Sequence, residues 1–293
     1  MRSPHDPTAL QRRRALATLA AGLGAGWLPC QHAAAAAARP NHLPAATLRI
    51  AGTASGTAGL ALLASAYTRA HPGARVEVLP ATGSAGGIRA VIEGDADLAV
   101  SHRAPTLAER ARAALDVLPY SRTPFVIAVH RDLGIEGLRP SELAALYREE
   151  APTFGNGRRA RPVLHLADAL DTELLRSVSP AVATAFDHAV ARCNLLDAAT
   201  DAHCADLIER TPGAFGPSTL ALIESERRPL KALAIAGFPA PTPENVTSGA
   251  YPWSKALLLV HTGTPAPMVG RFVDFACSAP ARRLLAMAGC CAG

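Results

Sequence analysis

Two short loops carry the groups best suited to hold an anion: Gly52-Thr53-Ala54-Ser55-Gly56-Thr57, and the stretch containing Gly83, Ser84, Gly86 and Gly87. Each follows an apolar run that reads as a strand and precedes a helical pattern. Small residues let a backbone approach a ligand closely, and the first N–H groups of a helix have no partner within it. Those groups and the helix dipole together favour a negative charge. A third apolar run, Leu98–Val100, ends in Ser101, His102 and Arg103, which adds a cation and an imidazole at the same end of the sheet. A neutral imidazole can accept one hydrogen bond, whereas a protonated one only donates. With His102 turned into a cleft, anion binding should strengthen as pH falls through its pKa. Neither loop runs into the Gly-Lys-Ser/Thr of a nucleotide P-loop, and neither is a GxGxxG turn. Thr82 stands where a GxSxG nucleophile turn has its first glycine.

The elements needed to position these loops follow in order. Leu48–Ala51 reads as a strand, Ser55–Ala70 as a helix and Val76–Leu79 as a strand. Ile88, Val91 and Ile92 mark a helix that Gly94 stops, Leu107–Ala114 is helical, and Phe125–Val129 is a buried strand leaving this unit. Such alternation implies a mostly parallel sheet with ligands at the carboxyl ends of its strands. A second unit begins near Arg131. It has a helix over Pro140–Tyr147, a turn at Phe154–Gly157, a strand over Pro162–Leu166, and a helical stretch Asp171–Val190 that Pro180 breaks or kinks. A helix over Thr200–Arg210 and strands at Gly213–Thr219 and Leu230–Ile235 complete it. After a proline-rich loop, Phe238–Tyr251, the strand Ala256–Val260 returns, followed by helices near Ala266–Cys277 and Pro280–Ala288. A chain that leaves one α/β unit, builds another and comes back makes a two-lobed clamshell with a hinge. The expected lobes are 47–129 plus 250–293, and 130–249.

Residues 1–38 read as an export signal: Arg12-Arg13-Arg14 precedes the uncharged run Ala15–Leu28, and Ala33–Ala38 offer cleavage choices. Paired arginines before a mild apolar core suit a twin-arginine signal, with the ordinary secretory route close behind, and the expected destination is a bacterial periplasm. Trp27-Leu28-Pro29 argues against lipid attachment at Cys30. Without four arginines and one aspartate of that segment the net charge is about +2, down from +5, which gives no case for nucleic-acid binding. Cys193, Cys204, Cys277, Cys290 and Cys291 remain. In an oxidising compartment two cystines are expected, Cys193–Cys204 and Cys277 with Cys290 or Cys291, leaving one thiol. With no CxxC and no nearby histidine cluster, no metal is expected, and no cofactor.

In these features the sequence resembles the type 2 periplasmic solute-binding proteins, in the phosphate-binding-like branch of ABC transporters. The markers are IAGTASGT, HPGARVEVLPATGSAGGIRAVIEGDADLAVSHR, PYSRTPFVIAVH, RPVLHLADALDTELL, TPGAFGPSTLALI and PENVTSGAYPWSKALLLV, in that order along Thr47–Ala288. The resemblance implies a Venus-flytrap α/β fold, each lobe a mostly parallel sheet flanked by helices, joined by a two-strand hinge. It implies a monomer that closes over phosphate or a related oxyanion and delivers it to a permease. Thr53 and Ser55 match the first-loop contacts, and Ser84, Gly86 and Gly87 the second-loop ones. Arg103 matches an arginine after the third strand, and Asp171 and Thr172 match the closing loop of the second lobe. Ala85 departs from the usual second serine, Ala169 and Leu170 replace hydroxyl-bearing and small residues, and His102 stands where Ser or Asp is common.

Two other functions compete with transport. One is a sensing or scavenging module of the same fold. The other is a secreted hydrolase using His165, Asp168 and one of Ser55, Ser84 or Ser101.

Overall fold

A computed structural model describes residues 47–150, 152–165, 169–192 and 195–292. The expected export signal, Asp168 and Cys193 lie outside the described residues, as does the side chain of Ala169. The elements begin with β1 (Thr47–Gly52), α1 (Ala54–Ala70), β2 (Arg75–Val78), α2 (Gly83–Glu93), β3 (Leu98–Ser101), α3 (Leu107–Arg112) and β4 (Leu115–His130). Next come β5 (Gly137–Leu138), α4 (Pro140–Arg148), β6 (Arg161–Leu164), α5 (Ala169–Arg176), α6 (Pro180–Val190), β7 (Leu196–Asp197), α7 (Asp201–Arg210) and β8 (Ala214–Thr219). Last are α8 (Leu220–Ser225), β9 (Leu230–Ala232), β10 (Ala234–Ile235), α9 (Pro243–Thr247), β11 (Ser254–Thr262), α10 (Pro267–Ala276), α11 (Ala279–Met287) and β12 (Cys291–Ala292).

The main sheet has the order β2-β1-β3-β11-β4-β8-β6-β7. Its outer parts, β2-β1-β3 and β8-β6-β7, are parallel, while β11 and β4 run antiparallel to their neighbours at its centre. β4 begins ten residues before the expected Phe125 and ties both wings together: Leu115–Pro124 pair with β11, and Phe125–Val129 pair with β8. Two prolines explain the irregularities along it. Pro119 has no N–H to give and sits opposite Leu258, where the β4–β11 register slips. Pro124 marks the change of partner, and the Phe125 N–H turns to the Trp253 carbonyl at 3.0 Å.

Helix positions follow local chemistry. Along α1, Leu60, Leu63, Ala64 and Tyr67 form one buried stripe over β1 and β3. Gly94 ends α2 in the left-handed region at φ 79°, as a glycine C-cap does. Pro180 breaks the expected long helix in two and opens α6, with Ser179 accepting from the Val182 N–H as its cap. Gly87 lets α2 lie on the first loop, since a Cβ there would come within 2.5 Å of the Gly52 Cα. Apolar clusters lie on both wings, one built on Tyr67, Leu98 and Phe272 and another on Phe125, Tyr147, Phe186 and Phe215.

Candidate functional site

The loops after β1, β3 and β6 and the N-terminal turns of α2, α5 and α7 surround a cleft of about 490 Å3. Thr53 is on its wall with Gly83, Ser84 and Ala85 from the first turn of α2, which no side chain caps. His102, Arg103 and His165 face it from the strand ends, and Glu173 and Asp201 from α5 and α7.

Beneath this wall lies a buried charge network. Lys255, fully buried, holds its Nζ 2.8 Å from Asp171 Oδ1 and 3.3 Å from Asp201 Oδ1. His165 places Nδ1 2.5 Å from Asp171 Oδ2 and 3.5 Å from Asp201 Oδ1. The hydroxyls of Thr53 and Ser55 each donate to Asp201 Oδ2 at 2.8 Å. His102 lies 2.8 Å from the Ala256 carbonyl through Nδ1 and 3.3 Å from Asp201 Oδ2 through Nε2, the latter off the line of a hydrogen bond. A carbonyl only accepts, so Nδ1 carries a proton, and Nε2 attracts the carboxylate only in the imidazolium form.

Charges this deep persist only when paired. Burial alone would raise the Asp201 carboxyl pKa, but Lys255 and the two histidines hold it well below the usual value. Burial works against a charged His165, and the hydrogen bond and charge of Asp171, with the charge of Asp201, raise its pKa overall. His165, Asp171 and Asp201 have the spacing of a cation cage, and the Lys255 ammonium is the cation that stands beside both carboxylates.

The expected site residues divide in three. Thr53, Ser55, His102 and Asp171 are drawn into the buried network, and His102 points inward. Ser84 is on the cleft wall, where its Oγ accepts from the His102 backbone N–H at 3.1 Å. Arg103 reaches the wall, but its guanidinium forms a two-pronged pair with Glu109 at 2.8 Å per contact. That hydrogen bond is the main reason the Glu109 carboxyl titrates at about 2. Glu109 also closes a capping box with Thr106 at the start of α3, which fixes it in reach of the arginine. Gly86 and Gly87 do not line the cleft, and both are sites of close packing. A Cβ on Gly86 would meet Thr82, and Gly87 is the close approach to Gly52 described above. Thr172 is half-buried on α5, and it is Leu170 and Glu173 that reach the wall.

Lys255 and Asp201 are absent from the expected set. Lys255 had a visible signal: it shares a strand face with Leu257 and Leu259, where a lysine is out of place unless paired. Asp201 follows the cap residue Thr200 and so reads as an ordinary first-turn acid.

The cystine expectations fail among the described residues, where Cys204, Cys277, Cys290 and Cys291 are free thiols. Cys204 is buried with its Sγ 3.2 Å from the Pro217 carbonyl. Burial, with the charges of Asp171 and Asp201, raises its pKa, so it stays an unreactive thiol. Of the hydrolase candidates, Asp168 lies outside the described residues. His165 has an acidic partner, but Ser55 donates to Asp201 and Ser101 donates to the Arg103 carbonyl. Ser84 accepts from the chain.

Comparison with known proteins gives the family. A model described as a PBP superfamily domain matches residues 33–280. The chain belongs to that family. No protein of curated function matches it in sequence. Among solved structures, an assigned phosphate ABC transporter substrate-binding protein of Clostridium perfringens, with phosphate bound, superposes with a TM-score of 0.67 at 17% identity. That match covers 85% of this chain and 100% of the other. An ABC-type phosphate transport receptor of Vibrio cholerae gives 0.54 at 20% identity, covering 85% and 100%. Peb3 of Campylobacter jejuni gives 0.57 at 13%, covering 84% and 100%, and PEB3 has also been solved with L-phospholactate. At these identities the likeness establishes the fold: two α/β lobes with a cleft between them.

Proposed function

We propose that this PBP-superfamily protein is an exported solute-binding protein that captures a small oxyanion, phosphate or a relative, and presents it to an ABC permease. One observation carries the reading. Two strand-to-helix loops converge on one cleft and bring Thr53, Ser84 and the uncapped first turn of α2 together with His102 and His165. Gly83, Ser84 and Ala85, at the head of α2 where no side chain caps the first N–H groups, line the same cleft. Charge-assisted bonds of this kind contribute about 1.5–3 kcal/mol each. A cleft near 490 Å3 is also of a size that takes small organic molecules, so phosphate monoesters belong among the candidates.

The test is thermal unfolding of the purified chain against phosphate, sulfate, molybdate, phosphate monoesters and simple carboxylates. A true ligand at about 100 times its Kd adds about 2.7 kcal/mol and should raise Tm by roughly 5–10 °C. Arg103→Ala should weaken that ligand by no more than about threefold, because Glu109 already holds the guanidinium. A flat response across the whole panel overturns the reading.

A further inference from the structure

The Thr53–Ser55 hydroxyl pair, which the first loop presents as an anion seat, is filled by the protein itself. Asp201 Oδ2 takes both hydroxyls at 2.8 Å and lies 3.3 Å from His102 Nε2, while Oδ1 is 3.3 Å from Lys255 Nζ and 3.5 Å from His165 Nδ1. One carboxylate thus takes hydrogen bonds from Thr53, Ser55 and Lys255, with the rings of His102 and His165 within 3.5 Å, and it arrives on the first turn of α7. A second observation points to an exchangeable occupant. His102 Nε2 is buried and makes no hydrogen bond of good geometry with Asp201, and His102, Thr53 and Asp201 all open onto the cleft.

Building on the proposed function, we propose that Asp201 is a tethered competitor for the anion seat, so that an oxyanion binds only by displacing this carboxylate from Thr53 and Ser55. A side chain anchored on α7 competes at a high effective concentration. The apparent affinity for a free anion falls by the fraction of time the seat is open. A neutral solute has nothing to offer in exchange for the carboxylate, so the tether also rejects uncharged molecules. Displacement frees the first turn of α7, which links occupancy of the seat to movement of Thr200 and Asp201 at the cleft wall.

Calorimetric titration of the full chain with inorganic phosphate at pH 7 tests this in the parent, Asp201→Ala, Asp201→Asn and Asp201→Ala/Thr53→Val. Both single variants should bind phosphate at least tenfold more tightly than the parent, and Thr53→Val should take back most of the gain. Equal or weaker binding by both variants, with circular dichroism showing them folded, overturns the tether and leaves the parent's own phosphate binding to support the function. Tightened variants beside a parent that binds no oxyanion support the tether and overturn the function. Absence of binding in every form overturns both. Should neither single variant fold, a crystal structure of the parent in concentrated phosphate decides. Phosphate on the Thr53 and Ser55 hydroxyls with Asp201 displaced supports the proposal. Asp201 still on both hydroxyls, with or without phosphate elsewhere in the cleft, overturns it.

Discussion

Replacing Lys255 by methionine keeps the length of the side chain and removes the ammonium between Asp171 and Asp201. The parent geometry, 2.8 Å to one carboxylate and 3.3 Å to the other with Lys255 fully buried, leaves no water to take over the charge. Breaking a buried pair in this way costs about 3–5 kcal/mol. The lower end applies here, because His165 still faces both carboxylates and His102 faces Asp201. For a domain of this size about 3 kcal/mol lowers Tm by roughly 6–12 °C. Thermal unfolding followed by circular dichroism at pH 7 reads the shift directly. Lys255→Met/Asp171→Asn should recover part of the loss, since it removes a stranded negative charge along with the positive one. A fall of less than about 2 °C in Lys255→Met would refute the view that the ammonium holds this network together.

Stability should also depend on His165. Its pKa is raised in the folded state, so its contribution is fully present below about pH 6.5 and is lost as pH rises through the folded value. Urea unfolding at pH 6 and 9 should show that loss in the parent and a smaller one in His165→Asn; equal losses would contradict the assignment. Gly87→Ala forces a Cβ to 2.5 Å from the Gly52 Cα, and overpacking against backbone should cost about 1–3 kcal/mol. Gly270→Ala on α10 meets no atom within 4 Å and should be neutral or stabilising by about 0.5–1 kcal/mol, so equal melting temperatures for the two variants would remove the close-approach argument.

Much of the architecture was legible along the chain because it follows from local chemistry. Gly94 ends α2 where left-handed backbone is needed, and Pro180 divides α5 from α6 because its ring cannot sit inside a helix. The apolar stripe of α1 and the buried strand Phe125–Val129 appear in the sequence as periodicity. The strands before the two loops are also where the pattern puts them. Within β4 the reading stopped short, since Pro119 and Pro124 make its first half look unlike a strand, although pairing with β11 holds it extended.

The sequence by itself determined which elements form, that they alternate as α/β units, and that two small-residue loops and His102 end at one side of the sheet. The tertiary structure alone decided what those loops hold. Asp201 reaches Thr53 across 148 positions of sequence, and Lys255 reaches Asp171 across 84. No local pattern links residues so far apart. Arg103 is the opposite case: Glu109, six positions away, holds the guanidinium through a helix cap, a pairing of near neighbours in sequence. The physical reason is common to both. Helix and strand formation depend on neighbours in sequence, whereas a buried charge is paired by whichever opposite charge the completed fold brings within about 3 Å, and desolvation makes that pairing obligatory.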